Sequence, residues 1–285
     1  MAKIEPLKQL DDDGLATPEI GAWGEEKYRL VSLYAALFVR SMHTKWDALV
    51  YLDLFAGSGR SRVRGTNRII AASPLLILGL TETFQKYIFC ERDEINLDAL
   101  TKRCRRDFFR RAATIIPGDA NVSMDRIIAE MPRPGRNYRV MGFCFLDPYQ
   151  MDNLNFSTIE VLSTRFMDFL VLIPSGMDAN RNEQNYVRSR NKTVDNFVGN
   201  SEWRDRWKFE RALGKTFGNF VVEEFGRAMQ RLGYLDPGIR ESKLIRSDDK
   251  NLPLYRLSLY SKHPLGKKFW NETKKYTDPQ IDLEF

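Results

Sequence analysis

The sequence predicts an α/β protein on a doubly wound, mostly parallel sheet of about seven strands, closed by an antiparallel hairpin. Three observations predict it. Short apolar segments alternate with stretches of helical period from residue 48 to residue 173. The first apolar segment runs straight into a glycine-rich turn, Ala56-Gly57-Ser58-Gly59. Two further strand-like segments, joined by a polar loop, lie near the end of the chain.

Taken in order, Trp23 to Met42 comes first, with Leu30, Leu33, Tyr34, Leu37 and Phe38 at the three- and four-residue spacing of a helix with one buried stripe. Ala48 to Phe55 is short, apolar and rich in strand formers, and the glycines behind it end it. Ser73-Pro74 offers an N-cap and a first-turn proline for a helix running on through LLILGLTETF. Strand and helix then alternate: Lys86 to Cys90, Asp93 to Arg111, Ala113 to Ile116, Val122 to Met131, Val140 to Leu146. Met167 to Ile173 is one more buried strand, and Ser242 to Arg246 with Leu254 to Tyr260, joined by DDKNLP, form the closing hairpin. Right-handed crossovers place the helices on both faces. Two segments stand outside this pattern. Arg60 to Ala72 reads as a loop of about a dozen residues where such units use two to six, which points to function. Asn180 to Lys215 is polar and basic and carries Trp203 and Trp207, four apart, on one helix side as core or interface.

Composition narrows the function classes. At 285 residues, 43% apolar and 29% charged, the chain buries a full core and needs no disulfides. Cys90, Cys104 and Cys144 form no C-x-x-C pair, and Cys90 and Cys144 sit in apolar runs as small hydrophobes. His43 and His263 are the only histidines, which argues against a histidine-based triad and against a two-histidine metal site on a single helix, so no metal is expected. The start, MAKIEPLKQLDDDG, lacks the pattern of a signal peptide, and no run approaches the roughly 18 apolar residues of a membrane span. A cytoplasmic protein is expected. The net charge of +6 permits an anionic partner.

The chemistry therefore centres on the glycine turn, Asp53 to Gly59, for which three ligands compete. A phosphate-binding P-loop is disfavoured because Leu54 stands at its first glycine position and Arg60 at its lysine. A dinucleotide turn wants a small residue where Arg62 stands, and a helix N-terminus before Ser73 is absent from the pattern. S-adenosylmethionine has no phosphates and needs neither. Acids at successive strand ends suit it: Glu91 for ribose hydroxyls, Asp119 in Gly118-Asp119-Ala120 for the adenine amine, and Asp147 in Asp147-Pro148-Tyr149.

The segments VYLDLFAGSGR, FCERDE, PGDAN and FCFLDPYQ, in this order, resemble class I methyltransferases. With GAWGEEKYRLVSLY ahead of them and SKHPLGKKFWNE behind, the chain resembles the three-Cys-motif partner family, TcmP. The resemblance implies a Rossmann-like class I methyltransferase domain over residues 48–285, with a helical basic insertion at about 180–215 and an N-terminal helical segment, 1–47, packed on the core. It also implies a companion protein that carries the cysteine motif. By the same likeness the S-adenosylmethionine site comprises Lys27, Asp53, Phe55, Ala56, Gly57, Ser58, Gly59, Glu91, Arg92, Asp119, Ala120 and Asp147, and the catalytic motif is Asp147, Pro148 and Tyr149. Lys27 reads equally as a solvated helix charge.

That motif resembles the D-P-P-Y of amino-methyltransferases with one proline missing. Its carboxylate and proline carbonyl would hold an exocyclic base amine while Tyr149 stacks on the ring; alternatively Asp147 only contacts the cofactor or caps a loop. A base substrate needs cations on the backbone, and the candidates are Arg60, Arg62, Arg64 and Arg68, then Arg181, Arg188, Arg190 and Lys192. Lys102, Arg103, Arg105, Arg106, Arg110 and Arg111 read as a solvated helix face. Two further readings stay open: a cofactor-binding subunit of the companion protein, and a methyltransferase for a small molecule or protein.

Overall fold

The computed structural model of the protein describes residues 7–247 and 250–276. Its elements run β1 (Glu19–Ile20), α1 (Trp23–Met42), β2 (Ala48–Asp53), β3 (Arg60–Val63), β4 (Ile69–Ala71), α2 (Ser73–Leu78), β5 (Lys86–Glu91), α3 (Glu94–Asp107), β6 (Ala113–Pro117), α4 (Met124–Glu130) and β7 (Val140–Leu146). There follow α5 (Phe156–Ser163), β8 (Met167–Ile173), α6 (Met177–Arg181), α7 (Glu183–Tyr186), α8 (Thr193–Val198), α9 (Trp203–Ala212), α10 (Phe217–Arg231), α11 (Gly238–Glu241), β9 (Lys243–Arg246), β10 (Pro253–Tyr260) and α12 (Pro264–Lys275). Seven strands form one sheet in the order β6-β5-β2-β7-β8-β10-β9, and three form a second, β1-β3-β4. β2 is parallel to β5 and β7, β5 is parallel to β6, and β10 is antiparallel to β8 and β9. The expected hairpin is present, although residues 248 and 249 of its connection lie outside the described residues.

The chain divides into two compact units. One holds residues 1–145, 165–167 and 268–285; the other holds 146–164 and 168–267. In the first, an aromatic layer explains why α1 is long and amphipathic: Tyr34 lies 4.9 Å from Phe143 and 6.4 Å from Trp270 by ring centroids, and Phe38 stacks on Phe84 at 5.9 Å. β2 is buried along its whole length, as a central parallel strand must be. In the second unit, Trp203 and Trp207 are core residues packed against Phe217 and Phe220. Their indole N–H groups donate to Asp195 at 2.8 Å and Glu183 at 3.1 Å, which lets two polar-edged rings be buried.

Three expectations are corrected. Arg60 to Ala72 is not a loop but a hairpin, β3 and β4, joined by β1. Its alternation, Arg-Ser-Arg-Val, puts Ser61 and Val63 inward, and Val63, Ile70 and Ala72 pack on Tyr28 with Leu7, Ile20 and Leu76. The helix at Ser73 has Ala72 as its cap, and Gly79 stops it at Leu78, well short of Phe84. The helix after Asp93 ends at Asp107, so Arg110 and Arg111 lie beyond it. Arg111 instead donates to the carbonyls of Leu78 and Leu80, both at 3.1 Å.

A further correction reaches furthest, because Arg103 is no solvated charge. It is fully buried, and its guanidinium grips Asp13 with two hydrogen bonds, Nη2 to Oδ1 at 2.6 Å and Nε to Oδ2 at 3.0 Å. Further donations reach Ala16 O at 2.9 Å, Thr17 Oγ1 at 3.1 Å and Ser58 O at 2.7 Å. A buried cation so thoroughly matched is stable, while removal of its partner leaves an uncompensated charge. The Arg103 hydrogen bonds hold the Asp13 carboxyl well below the usual carboxylate range. A lowered folded value stabilises the fold above the unfolded pKa, near 4, and that stability is lost as the pH falls beneath it. Asp13→Asn is therefore expected to lower stability at pH 7 by about 3–5 kcal/mol and to flatten the acid side of the stability profile, read by urea unfolding at a series of pH values. An unchanged profile would mean that the pair is idle.

Candidate functional site

The candidate site lies in the first unit, where β2, β5 and β6 end. β2 is apolar up to Asp53 and then turns through Leu54 to Gly59. Gly57 has φ +62° and Gly59 φ +83°, left-handed values that favour glycine. The two glycines differ in purpose. A Cβ on Gly57 would meet nothing within 4 Å, whereas one on Gly59 would stand 2.9 Å from Leu75 and 3.0 Å from Leu100. Gly57 thus faces open space and Gly59 lets α2 and α3 pack closely.

The turn is held from three sides. Asp53 is fully buried at its start, with Oδ1 accepting from Phe55 N at 3.3 Å and Oδ2 from Tyr51 Oη at 3.4 Å. Glu91 ends β5 and accepts from Gly57 N at 2.6 Å through one oxygen and from Asp93 N at 2.8 Å through the other. Arg103 holds the Ser58 carbonyl from beneath, and the Ser58 hydroxyl donates to Arg60 O at 2.9 Å. Ala56 N donates to Cys90 O at 3.0 Å and Gly118 N to Glu91 O at 2.9 Å, which links the ends of the three strands. Asp119 is half-buried: Oδ1 accepts from Asn121 N at 2.8 Å, and Oδ2 pairs with Arg92 at 3.6 Å. Phe55 is half-buried, Ala56 and Ala120 buried, and Arg92 exposed.

Burial pushes the Cys90 and Cys104 thiols up to about 12 and raises Cys144 as well, the neighbouring carboxylates adding to the effect at Cys90. No thiolate nucleophile operates near neutral pH. Among the described residues no group of His, Cys, Asp and Glu could hold a metal ion, and no helix is long and apolar enough to cross a membrane.

Several sequence-derived candidates have unexpected surroundings. Lys27 is not a solvated charge: it is buried, with its ammonium 4.7 Å from the Tyr28 ring and 5.4 Å from the Trp23 ring. The turn does have a helix beginning beside it, contrary to the sequence reading. After the β3–β4 excursion Ala72 N donates to Gly59 O at 2.8 Å, and α2 starts at the next residue. Arg60 pairs with Asp13 at 3.3 Å, Arg62 with Asp12 at 2.7 Å, Arg64 with Glu19 at 3.6 Å and Arg68 with Glu25 at 3.0 Å, so these charges are matched within the chain. The acidic partners lie some 40 to 50 residues away, which no local pattern reveals. Arg181, Arg188 and Arg190 in the second unit are exposed.

Asp147, Pro148 and Tyr149 follow β7 directly. Asp147 comes two residues after Phe145, the register partner of Asp53. Asp147 is half-buried, Pro148 buried and Tyr149 76% exposed.

No family model matches the chain, and no curated protein matches it. Among solved structures it is similar to a Legionella pneumophila Philadelphia 1 protein assigned to the DUF519 family model, at 10% identity and a TM-score of 0.47, over 90% of this chain and 94% of that one. It is also similar to the O-methyltransferase TomG of Streptomyces achromogenes, determined with S-adenosylmethionine, at 10% identity and a TM-score of 0.45, over 84% and 81%. A third is an O-methyltransferase from Bacillus cereus in complex with S-adenosylhomocysteine, at 12% identity and 0.43, over 81% and 80%. The strand order, mostly parallel with an antiparallel closing hairpin, is that of the doubly wound α/β sheet that the sequence predicts.

The contrast between the glycines is measurable. Gly57→Ala adds a methyl in open space and is expected to cost about 1–2 kcal/mol of backbone strain, while Gly59→Ala adds overpacking of about 1–3 kcal/mol to the same strain. Urea unfolding of both variants checks the order; equal losses would contradict the two roles.

Proposed function

We propose that this protein is an S-adenosylmethionine-dependent methyltransferase that acts on an amino group of a nucleic-acid base. The observation that carries the cofactor is the rim of the turn. Glu91 and Asp119 flank a backbone that approaches open space at Gly57, with Asp53 buried beneath it. Because α2 begins beside Gly59, a missing helix no longer argues against a pyrophosphate, but charge does: a rim of carboxylates repels phosphates and attracts a cation. Glu91 keeps acceptor capacity beyond the two N–H groups it holds, which suits vicinal hydroxyls, and Asp119 can accept from an amine. Asp53, fully buried, and Arg103 shape the turn from behind.

When bound, S-adenosylmethionine supplies an electrophilic methyl on a cationic sulfur. The protein's task is then to hold an acceptor at near-attack distance and to stabilise the charge that develops on it. An exocyclic base amine has its lone pair delocalised into the ring. In the proposed mechanism the Asp147 carboxylate and the Pro148 carbonyl accept its two hydrogens, turn the lone pair outward and offset the developing positive charge. The exposed Tyr149 ring provides a stacking face for the base. Arg181, Arg188 and Arg190, exposed, supply phosphate contacts, whereas Arg60, Arg62 and Arg68 are held in ion pairs within the chain. The finer resemblance to the three-Cys-motif partner family adds a companion protein to this proposal.

Incubation with S-adenosylmethionine labelled in its methyl group and with total RNA or genomic DNA tests the reading. Label is expected in nucleic acid, and Asp147→Ala is expected to lower transfer by a factor on the order of 100 while cofactor affinity, read by calorimetry, stays within about twofold. Cofactor binding without transfer to either nucleic acid would replace this reading with that of a cofactor-binding subunit or of another substrate.

A further inference from the structure

We propose that a concavity of the second unit, lined by Arg206, Arg227, Arg231 and the Gly199 to Glu202 turn, is a binding site for a phosphate group. It measures about 460 Å³ and lies between the end of α8, the start of α9 and the last turns of α10.

The arginines are organised by one carboxylate. Glu224 of α10 is fully buried. Its Oε2 accepts from Arg206 Nη2 at 2.6 Å, and its Oε1 accepts from Arg206 Nε at 2.9 Å and from Arg227 Nη1. Neutralising a buried carboxylate needs one cation, and the Arg206 fork does this alone. Arg227 is a second, and Arg231, one turn further along α10, a third. Glu202 on the wall, and Glu223 at 3.8 Å from Arg227, balance these cations, so what the wall offers an anion is its donors rather than a surplus of charge.

Several donors are left over. Arg206 Nη1 and Arg227 Nε make no hydrogen bond among the described residues, and Arg227 Nη2 only approaches Glu223 at 3.8 Å. Arg231, exposed, spends only Nη2, on Val198 O at 3.4 Å. Guanidinium groups whose one edge is fixed by a buried acid present the other edge with little entropy left to lose, and their forks match the tetrahedral array of phosphate oxygens. A carboxylate would occupy one such fork; a phosphate can engage several. The phosphate can be a diester of a nucleic-acid strand, which rests on the function proposed above, or a free phosphate.

Arg231→Gln is the informative variant, because Arg231 is exposed and takes no part in holding Glu224. Arg240→Gln, which removes the same charge from an exposed position outside the concavity, is the control. Binding of a fluorescein-labelled single-stranded RNA of about 20 nucleotides is read by anisotropy between 50 and 200 mM salt, and binding of inorganic phosphate by calorimetry. Arg231→Gln is expected to weaken one or both probes about tenfold, and for RNA to reduce the salt slope by about one, while Arg240→Gln leaves them within about twofold. Loss for RNA alone assigns a phosphodiester contact, and loss for inorganic phosphate assigns a site for a free phosphate. No loss with either probe, or equal loss in both variants, overturns the proposal. Cofactor titration involves none of these residues, so failure of the methyltransferase reading would be seen separately.

Discussion

The buried grip of Arg103 on Asp13 is the contact on which the candidate site depends. A fully desolvated guanidinium is costly unless its donors are matched, and here the matches come from two distant parts of the chain. Asp13 and the carbonyl of Ala16 belong to the N-terminal segment; Ser58 O belongs to the glycine turn; Arg103 itself sits in α3. One side chain thus fastens the segment ahead of α1 to the backbone that a ligand would approach. Arg60 and Arg106 add further pairs to the same Asp13, at 3.3 and 3.1 Å. The acidic start of the chain is part of the architecture.

That dependence explains which parts of the fold could be read in the sequence. β7 and β8 match their expected ranges, and so does α1, because each is defined by its own apolar pattern: unbroken for strands buried on both faces, periodic for a helix with one buried stripe. The mostly parallel sheet follows from alternation and crossover handedness, and the closing hairpin from two strand-like segments joined by a polar loop. What escaped was long-range pairing of charges. Arg60, Arg62 and Arg68 looked like ligand-facing cations because Asp12, Asp13 and Glu25 are far away in sequence. Arg103 looked like one more solvated cation of a basic helix because nothing within a few residues reveals Asp13. The period-two alternation of Arg60 to Val63 was an available signal of a strand, masked by the weight given to arginine.

At the site itself, the sequence indicated where the acids and glycines fall but not their division of labour. Asp53 stands at the predicted position yet is wholly enclosed, shaping the turn rather than meeting a ligand. Glu91, proposed for the ribose hydroxyls, already holds the turn through Gly57 N. Gly57 and Gly59 are alike in sequence and opposite in surroundings. The return of the chain to Gly59 at the start of α2 could not be foreseen while residues 60–72 were read as a loop. The structure moves the discrimination between ligands from helix placement to charge.

In the proposed function charge decides what the turn accepts, and a direct titration reads it. Calorimetry of the intact protein with S-adenosylhomocysteine, NAD and ATP, each at the same concentration and ionic strength, compares a nucleoside without phosphates with two that carry them. The account predicts heat of binding with S-adenosylhomocysteine alone, with affinity reduced in Glu91→Gln. Binding of NAD or ATP with none of the thioether nucleoside would contradict it.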